Sequence, residues 1–168
     1  MRWGPFYRLV KRVADGGGEA QFAALTGRDQ GPRFRLVARM WRQPVHVLGY
    51  VDDIQTWMRA ADMLVTKPVP ATITAALAAG VPIVVSGGVP GQETSIVAYV
   101  TDSGAAVWAP TIEATAADVQ RLLQHDREEL TRMTKRAQRA GRLDTARQVA
   151  EIAWQSAIAA DKSLRSKE

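Results

Sequence analysis

Residues 66–93 read TKPVPATITAALAAGVPIVVSGGVPGQE. The stretch ends a strand at Thr66, turns through Pro68, Val69 and Pro70, and offers a helix over 70–80. Gly80 and Pro82 stop that helix, because glycine tolerates a left-handed cap and proline cannot continue the hydrogen-bond ladder. The apolar run PIVVSG (82–87) reads as a strand covered on both faces, and a second loop then closes on Gln92 and Glu93. Two loops at the same end of two neighbouring parallel strands lie where an open α/β sheet holds a nucleotide. The first loop is built from Pro68, Val69, Pro70 and Ala71, where a phosphate-cradling turn would want glycine.

The same alternation extends in both directions. AQFAALT (20–26), VHVLG (45–49), DMLVT (62–66), PIVVSG (82–87) and AAVWAP (105–110) are strand candidates, and 4–15, 33–42, 53–61, 70–80 and 91–103 are helix candidates. Strands alternating with helices imply a parallel sheet with right-handed crossovers. Asp52 or Asp53 caps the helix holding Trp57 and Met58, and Gly104 stops the one before it. From Thr115 onward the pattern is helical only, with apolar residues three and four apart. The reading is one Rossmann-like domain over 1–160 and a frayed tail, DKSLRSKE, over 161–168. A sheet of this type begins with a strand and a glycine-rich turn, but MRWGPFYRLV is already a turn entering a helix, so the first strand is expected to be missing. GGG at 16–18 follows no strand and opens no helix, which makes it a loop.

Composition narrows the chemistry. At 168 residues and 46% hydrophobic content the chain can bury one core, and 23% charged residues argue against wholesale disorder. With no cysteine, disulfides, zinc-thiolate sites and thiol nucleophiles are excluded, and a cytoplasmic setting is favoured. His46 and His125 are too few and too far apart for a histidine metal cluster. A net charge of +5 favours an acidic partner, and arginines and lysines gather at Arg2, Arg8, Lys11 and Arg12 and again over 127–147. No apolar run reaches the ~18 residues of a membrane span, and the N-terminus lacks a signal-peptide pattern, so any membrane contact is peripheral. No ordered aromatic and basic motif of a nucleic-acid module is present.

Several motifs in order carry a family likeness. VHVLGYVDDIQTWMRAADMLVTK, then ATITAALAAGVPIVVSGGVPGQE and AYVTDSGAAVWAP, resemble glycosyltransferase family 28. The branch they are most similar to is that of the monogalactosyldiacylglycerol synthases and bacterial processive diacylglycerol glucosyltransferases. WGPFYRLVKRVA, AALTGRDQ and LDTARQVAEIA fit the same pattern. The resemblance implies the C-terminal half of a GT-B fold, which binds a UDP-sugar as donor substrate and needs no other cofactor. The lipid acceptor and the catalytic base belong to the N-terminal half, so this chain is expected to hold no catalytic residue and to be inactive alone. Peripheral contact with an anionic membrane at its inner face is expected, and no nucleic acid. The alternative is a degenerate, non-catalytic domain that binds nucleotide-sugar weakly or serves as an interaction surface.

Carried over residue by residue, the likeness puts Gln92 and Glu93 on donor-sugar hydroxyls, since an amide and a carboxylate supply both donors and acceptors. Lys67 keeps a strand-end position and Thr72 a helix-start position, while Gly4 and Pro5 are what stands for the phosphate-proximal turn. Four residues depart from the family: Val69 and Ala71 replace glycine, Ala75 replaces a ribose-gripping glutamate, and Ile96 replaces asparagine. A positive φ at β-branched Val69 would be strained.

Simpler roles stand beside these. Lys67 also reads as a surface lysine, and Glu93 as a helix-start residue complementing the macrodipole. His46, within an apolar strand, reads as a packed core histidine, and Trp41, Trp57, Trp108 and Trp154 as core or domain-interface residues. Trp3, Phe6 and Tyr7 with Arg2, Arg8, Lys11 and Arg12 form either an interfacial membrane patch or side chains that a first strand would cover.

Overall fold

The computed structural model describes residues 4–16, 19–88, 91, 93–125, 127–141 and 145–165. Helix α1 (Gly4–Ala14) comes first and is followed by β1 (Phe22–Leu25), α2 (Gln30–Val37), β2 (Val45–Leu48), α3 (Ile54–Ala60) and β3 (Leu64–Thr66). Then come α4 (Pro70–Ala78), β4 (Ile83–Ser86), α5 (Thr94–Asp102), β5 (Ala106–Ala109) and α6 (Ile112–Gln120). A π-helical turn (Arg121–His125) leads into α7 (Arg127–Ala140), and α8 (Thr145–Arg165) ends the described chain. Each strand candidate holds a strand. Helix α8 runs past Asp161, where the tail was expected to begin.

Helix α2 starts at Gln30 rather than 33 and ends at Val37 rather than 42. Its start is set by Asp29, whose carboxylate accepts from the Gly31 amide at 2.9 Å. Pro32 is tolerated in the first turn because an amide hydrogen there would have no intrahelical partner. At the other end the Trp41 indole donates to the Leu36 carbonyl at 3.0 Å, satisfying a group the helix leaves open.

All strand pairs are parallel, but hydrogen bonding divides the strands into two sheets, β1–β2 and β3–β4–β5, rather than one. β4 is buried along its whole length. Ile83 and Val85 face a core built with Ile73, Ala76 and Leu77 of α4, Val100 of α5 and Ala137 of α7. Val84 faces a second core with Ala109, Ala116, Val119, Leu122, Leu130, Met133 and Val13 of α1. Phe22 of β1 and Val65 of β3 both border that second core, so packing joins what the hydrogen bonds do not. Among the described residues no ladder occupies the edge of β1 away from β2 or the edge of β3 away from β4. Among them, too, no helix is long and apolar enough to cross a membrane.

Two local features have measurable consequences. At the end of α7, a Cβ on Gly141 would collide with the Leu77 carbonyl, so α4 and α7 approach there closely enough to require glycine. Gly141→Ala is expected to cost about 1–3 kcal/mol in urea unfolding. Gly4→Ala, with nothing within 4 Å of its Cβ, should cost almost nothing.

The second feature is Asp15, which accepts from Arg39 Nη2 at 2.9 and 3.1 Å and lies 3.3 Å from Lys11 Nζ. Burial works against its carboxylate, but the bonds and charges of Arg39 and Lys11 together outweigh it and hold the carboxyl below its ordinary value. A depressed carboxyl contributes stability that is complete above the unfolded value of about 3.9 and lost as pH falls through the folded one. Asp15→Asn should therefore lower the urea midpoint slightly at neutral pH, and its curve should merge with the parent's in acid.

Candidate functional site

The carboxyl ends of β3 and β4 carry the two loops singled out in the sequence. After Thr66 the chain passes exposed Lys67 and buried Pro68 into Val69, whose amide donates to the Lys67 carbonyl at 2.7 Å. Val69 has φ −93° and ψ 117°, an extended conformation open to any residue, so the strain expected of a positive φ there does not arise. Pro70 opens α4, and Thr72 is half-buried in its first turn. Val69 provides no side-chain cap, which leaves the first-turn amides of Ala71 and Thr72 without one from that position.

The left-handed backbone lies in the second loop instead. Gly87, Gly88 and Gly91 have φ of 72°, 133° and 93°. At Gly88 the two loops meet: a Cβ there would stand 3.5 Å from Pro68 Cγ, 3.6 Å from Glu93 Oε2 and 3.8 Å from Trp108 Nε1. Trp108, at the end of β5, donates from its indole to the Gly87 carbonyl at 2.9 Å while half its surface, 51%, stays exposed. Glu93 forms no side-chain cap for α5, and its carboxylate lies at Gly88 instead. The structure thus brings Glu93 to the first loop at Pro68, with exposed Lys67 one residue earlier. Gln92 lies outside the described residues, as do Trp3 and Arg2.

Beneath the loop, Ser86 and Thr115 are buried with their hydroxyl oxygens 2.9 Å apart. Thr115 donates its hydrogen to the Thr111 carbonyl at 2.8 Å, so Ser86 is the donor within the pair. This bond ties the end of β4 to α6 one residue before the first left-handed glycine. Gly87 is held again where its amide donates to the Ala109 carbonyl at 2.8 Å.

The other candidates are placed as follows. Gly4 and Pro5 are exposed at the start of α1, which packs chiefly on α6 and α2. Ala75 and Ile96 both pack against the first core. Asp53 caps α3 by accepting from the Thr56 amide at 3.1 Å, and the Thr56 hydroxyl is the main cause that holds its carboxyl below the ordinary value. His46 is exposed on β2 and not packed in a core; among the described residues β2 pairs with no strand but β1. Trp57, Trp108 and Trp154 are also exposed, so none is a core residue; Trp41 is half-buried beneath Arg39, 5.0 Å from its ring. Among the described residues no three potential ligands are grouped to hold a metal. A cavity of about 290 Å³ between Arg59, Asp62, Pro82, Arg127 and Gln138 lies at the opposite end of β3 and β4, away from these loops.

Parallel strands covered by helices, with a glycine loop at the carboxyl end of β4, define a Rossmann-like α/β domain. The chain belongs to the glycosyl transferases group 1 family, whose model matches residues 35–140. It is 38% identical over 117 residues to a probable monogalactosyldiacylglycerol synthase 3 of Oryza sativa subsp. japonica, covering 70% of this chain and 23% of that protein. To monogalactosyldiacylglycerol synthase 3 of Arabidopsis thaliana it is 36% identical over 117 residues, covering 70% and 25%. The chain therefore spans about a quarter of the length of these relatives. These are members of the branch to which the sequence motifs pointed, although the matching family model is that of group 1 rather than family 28. Among solved structures, MurG of Acinetobacter baumannii superposes with a TM-score of 0.70 at 19% identity, over 90% of this chain and 46% of that one. The spinosyn forosaminyltransferase SpnP gives 0.54 at 15% identity, over 86% and 38%. The fold is that of the C-terminal Rossmann-like half of a GT-B glycosyltransferase.

The hydroxyl pair under the loop yields a test. Thr115→Val strands the Ser86 hydroxyl in a buried site, which costs about 1–3 kcal/mol. Adding Ser86→Ala should recover most of that loss, and a urea-denaturation double-mutant cycle reads the coupling directly.

Proposed function

We propose that the chain is the donor-holding half of a UDP-sugar-dependent glycosyltransferase that moves a hexosyl group onto a diacylglycerol-like lipid. The observation that carries this reading is the meeting of Pro68, Glu93 and Trp108 at Gly88, on the carboxyl ends of the parallel strands. Glu93, with Gln92 beside it in sequence, is assigned to the sugar hydroxyls. Lys67 and the first turn of α4, including Thr72, are assigned to the diphosphate, where a cation and helix amides offset charge that grows as the sugar departs. Gly4 and Pro5 are assigned to the phosphate side of the site. Deprotonating an acceptor hydroxyl requires a base, and that role is assigned to a partner domain that also holds the lipid. The protein works at the cytoplasmic face of an anionic membrane, bound peripherally.

One observation favours a second reading, that of a non-catalytic nucleotide-sugar-binding or interaction domain. Ala75 and Ile96 pack against the core and offer no polar group where the family resemblance expects glutamate and asparagine.

Calorimetric titration separates the two. UDP and UDP-hexose are expected to bind in the micromolar range. Glu93→Gln should weaken UDP-hexose about ten-fold and leave UDP unchanged, whereas Lys67→Ala should weaken both, at the low end of what a charged hydrogen bond is worth. Absence of heat at millimolar UDP would leave the interaction domain as the surviving reading. Sugar transfer to diacylglycerol by the purified chain would overturn the assignment of the base to another domain.

A further inference from the structure

Residues 28–42, RDQGPRFRLVARMWR, hold five arginines against a single acidic residue, Asp29, and so carry most of the chain's net charge of +5. They form α2 and the turn after it. Helix α2 buries Pro32 and Leu36. Helical geometry puts Phe34 and Val37 on the opposite side, where they are 77% and 62% exposed, and Met40 beyond the helix end is 95% exposed. At 100° per residue Arg33 and Arg35 fall on the two flanks of the Phe34–Val37 stripe, and Arg42 follows Met40. All three arginines are exposed, and none has an ion pair among the described residues. Asp29 gives them little relief, since its carboxylate caps the helix. Arg39 faces the other way, onto Asp15 and Trp41.

Isolated exposed apolar residues are ordinary, but three neighbours rimmed by unpaired guanidinium groups are a pattern of the water–lipid boundary. We propose that this face of α2 is the surface by which the protein lies on an anionic lipid bilayer. Phe34, Val37 and Met40 enter the boundary between headgroups and acyl chains, and Arg33, Arg35 and Arg42 meet lipid phosphates. Cations on both flanks of the stripe match a surface that is negative on every side. A nucleic acid fits less well, because Val37 and Met40 offer no stacking face and Phe34 is the one exposed aromatic of the ridge. The N-terminal aromatic and basic cluster is the weaker candidate: Phe6 and Tyr7 are half-buried, and Lys11 is engaged by Asp15. This inference rests on the peripheral-membrane part of the function proposed above and not on donor binding, so vesicle binding and nucleotide titration can fail separately.

The test is flotation of the full chain with phosphatidylcholine vesicles, with and without phosphatidylglycerol. Binding is expected only when the anionic lipid is present, and added salt should weaken it. Arg33→Gln and Arg35→Gln should each reduce partitioning about five-fold. Phe34→Ser together with Met40→Ser should reduce it about ten-fold or more. Thermal unfolding of these variants should match the parent, since the altered side chains are exposed. Lys135→Gln with Arg139→Gln, exposed on α7, should bind as the parent does. The proposal is overturned by absence of binding to the anionic vesicles, or by binding that survives the α2 substitutions. Equal loss in the α7 variant would also overturn it, as adsorption by net charge alone, and so would tighter retention of a single-stranded oligonucleotide than of vesicles.

Discussion

The burial of β4 is the constraint on which the remaining structure depends. Its four residues, Ile83 to Ser86, are covered on both faces and paired on both edges, so each side chain is committed to a particular layer. Ile83 and Val85 fix α4 and α5 on one side, and Val84 fixes α6, α7 and α1 on the other. A shift of one residue would exchange the two layers and put Ser86 where an aliphatic side chain belongs. The glycine loop inherits its position from this strand, because it starts at the residue that Thr115 anchors.

That anchoring explains why the glycines stand where they do. Gly87 is clamped by its amide to Ala109 and by its carbonyl to Trp108, and the left-handed turn begins at once. The first loop needs no such freedom: its extended Val69 leads into Pro70, whose fixed φ suits a helix start. The two loops divide the labour. One supplies a rigid helix entry, and the other a backbone bend that lets Glu93 and Trp108 close over Gly88.

Much of this was legible in the sequence. Continuous apolar runs bounded by turn residues marked every strand, and the Gly80–Pro82 stop and the Asp53 cap held in the structure. What eluded the sequence depends on neighbours distant along the chain. His46 sits in an apolar run, yet its strand belongs to a two-stranded sheet and faces solvent. The helix expected from 33 starts at Gln30, because the Asp29 cap places Pro32 inside it. Trp108 reads as a core or domain-interface residue, and the Gly87 carbonyl holds its indole at the glycine loop with half its surface exposed. Serine followed by two glycines at the end of a buried strand was the available signal for Ser86, but its partner Thr115 is 29 residues away.

That division bears on how the two proposed surfaces relate. The proposed donor site is built on β3, β4 and β5, while the arginine-rich α2 packs on β2, and no ladder among the described residues joins the groups. Side-chain packing through Phe22, and the bonds from Arg39 to Asp15 just past α1, provide links between them. Arg39 follows α2 in the chain and binds Asp15 at the end of α1, and α1 packs on α6, which holds Thr115. The two regions are therefore held together by packed helices and the Arg39–Asp15 bonds, with no strand ladder between them among the described residues.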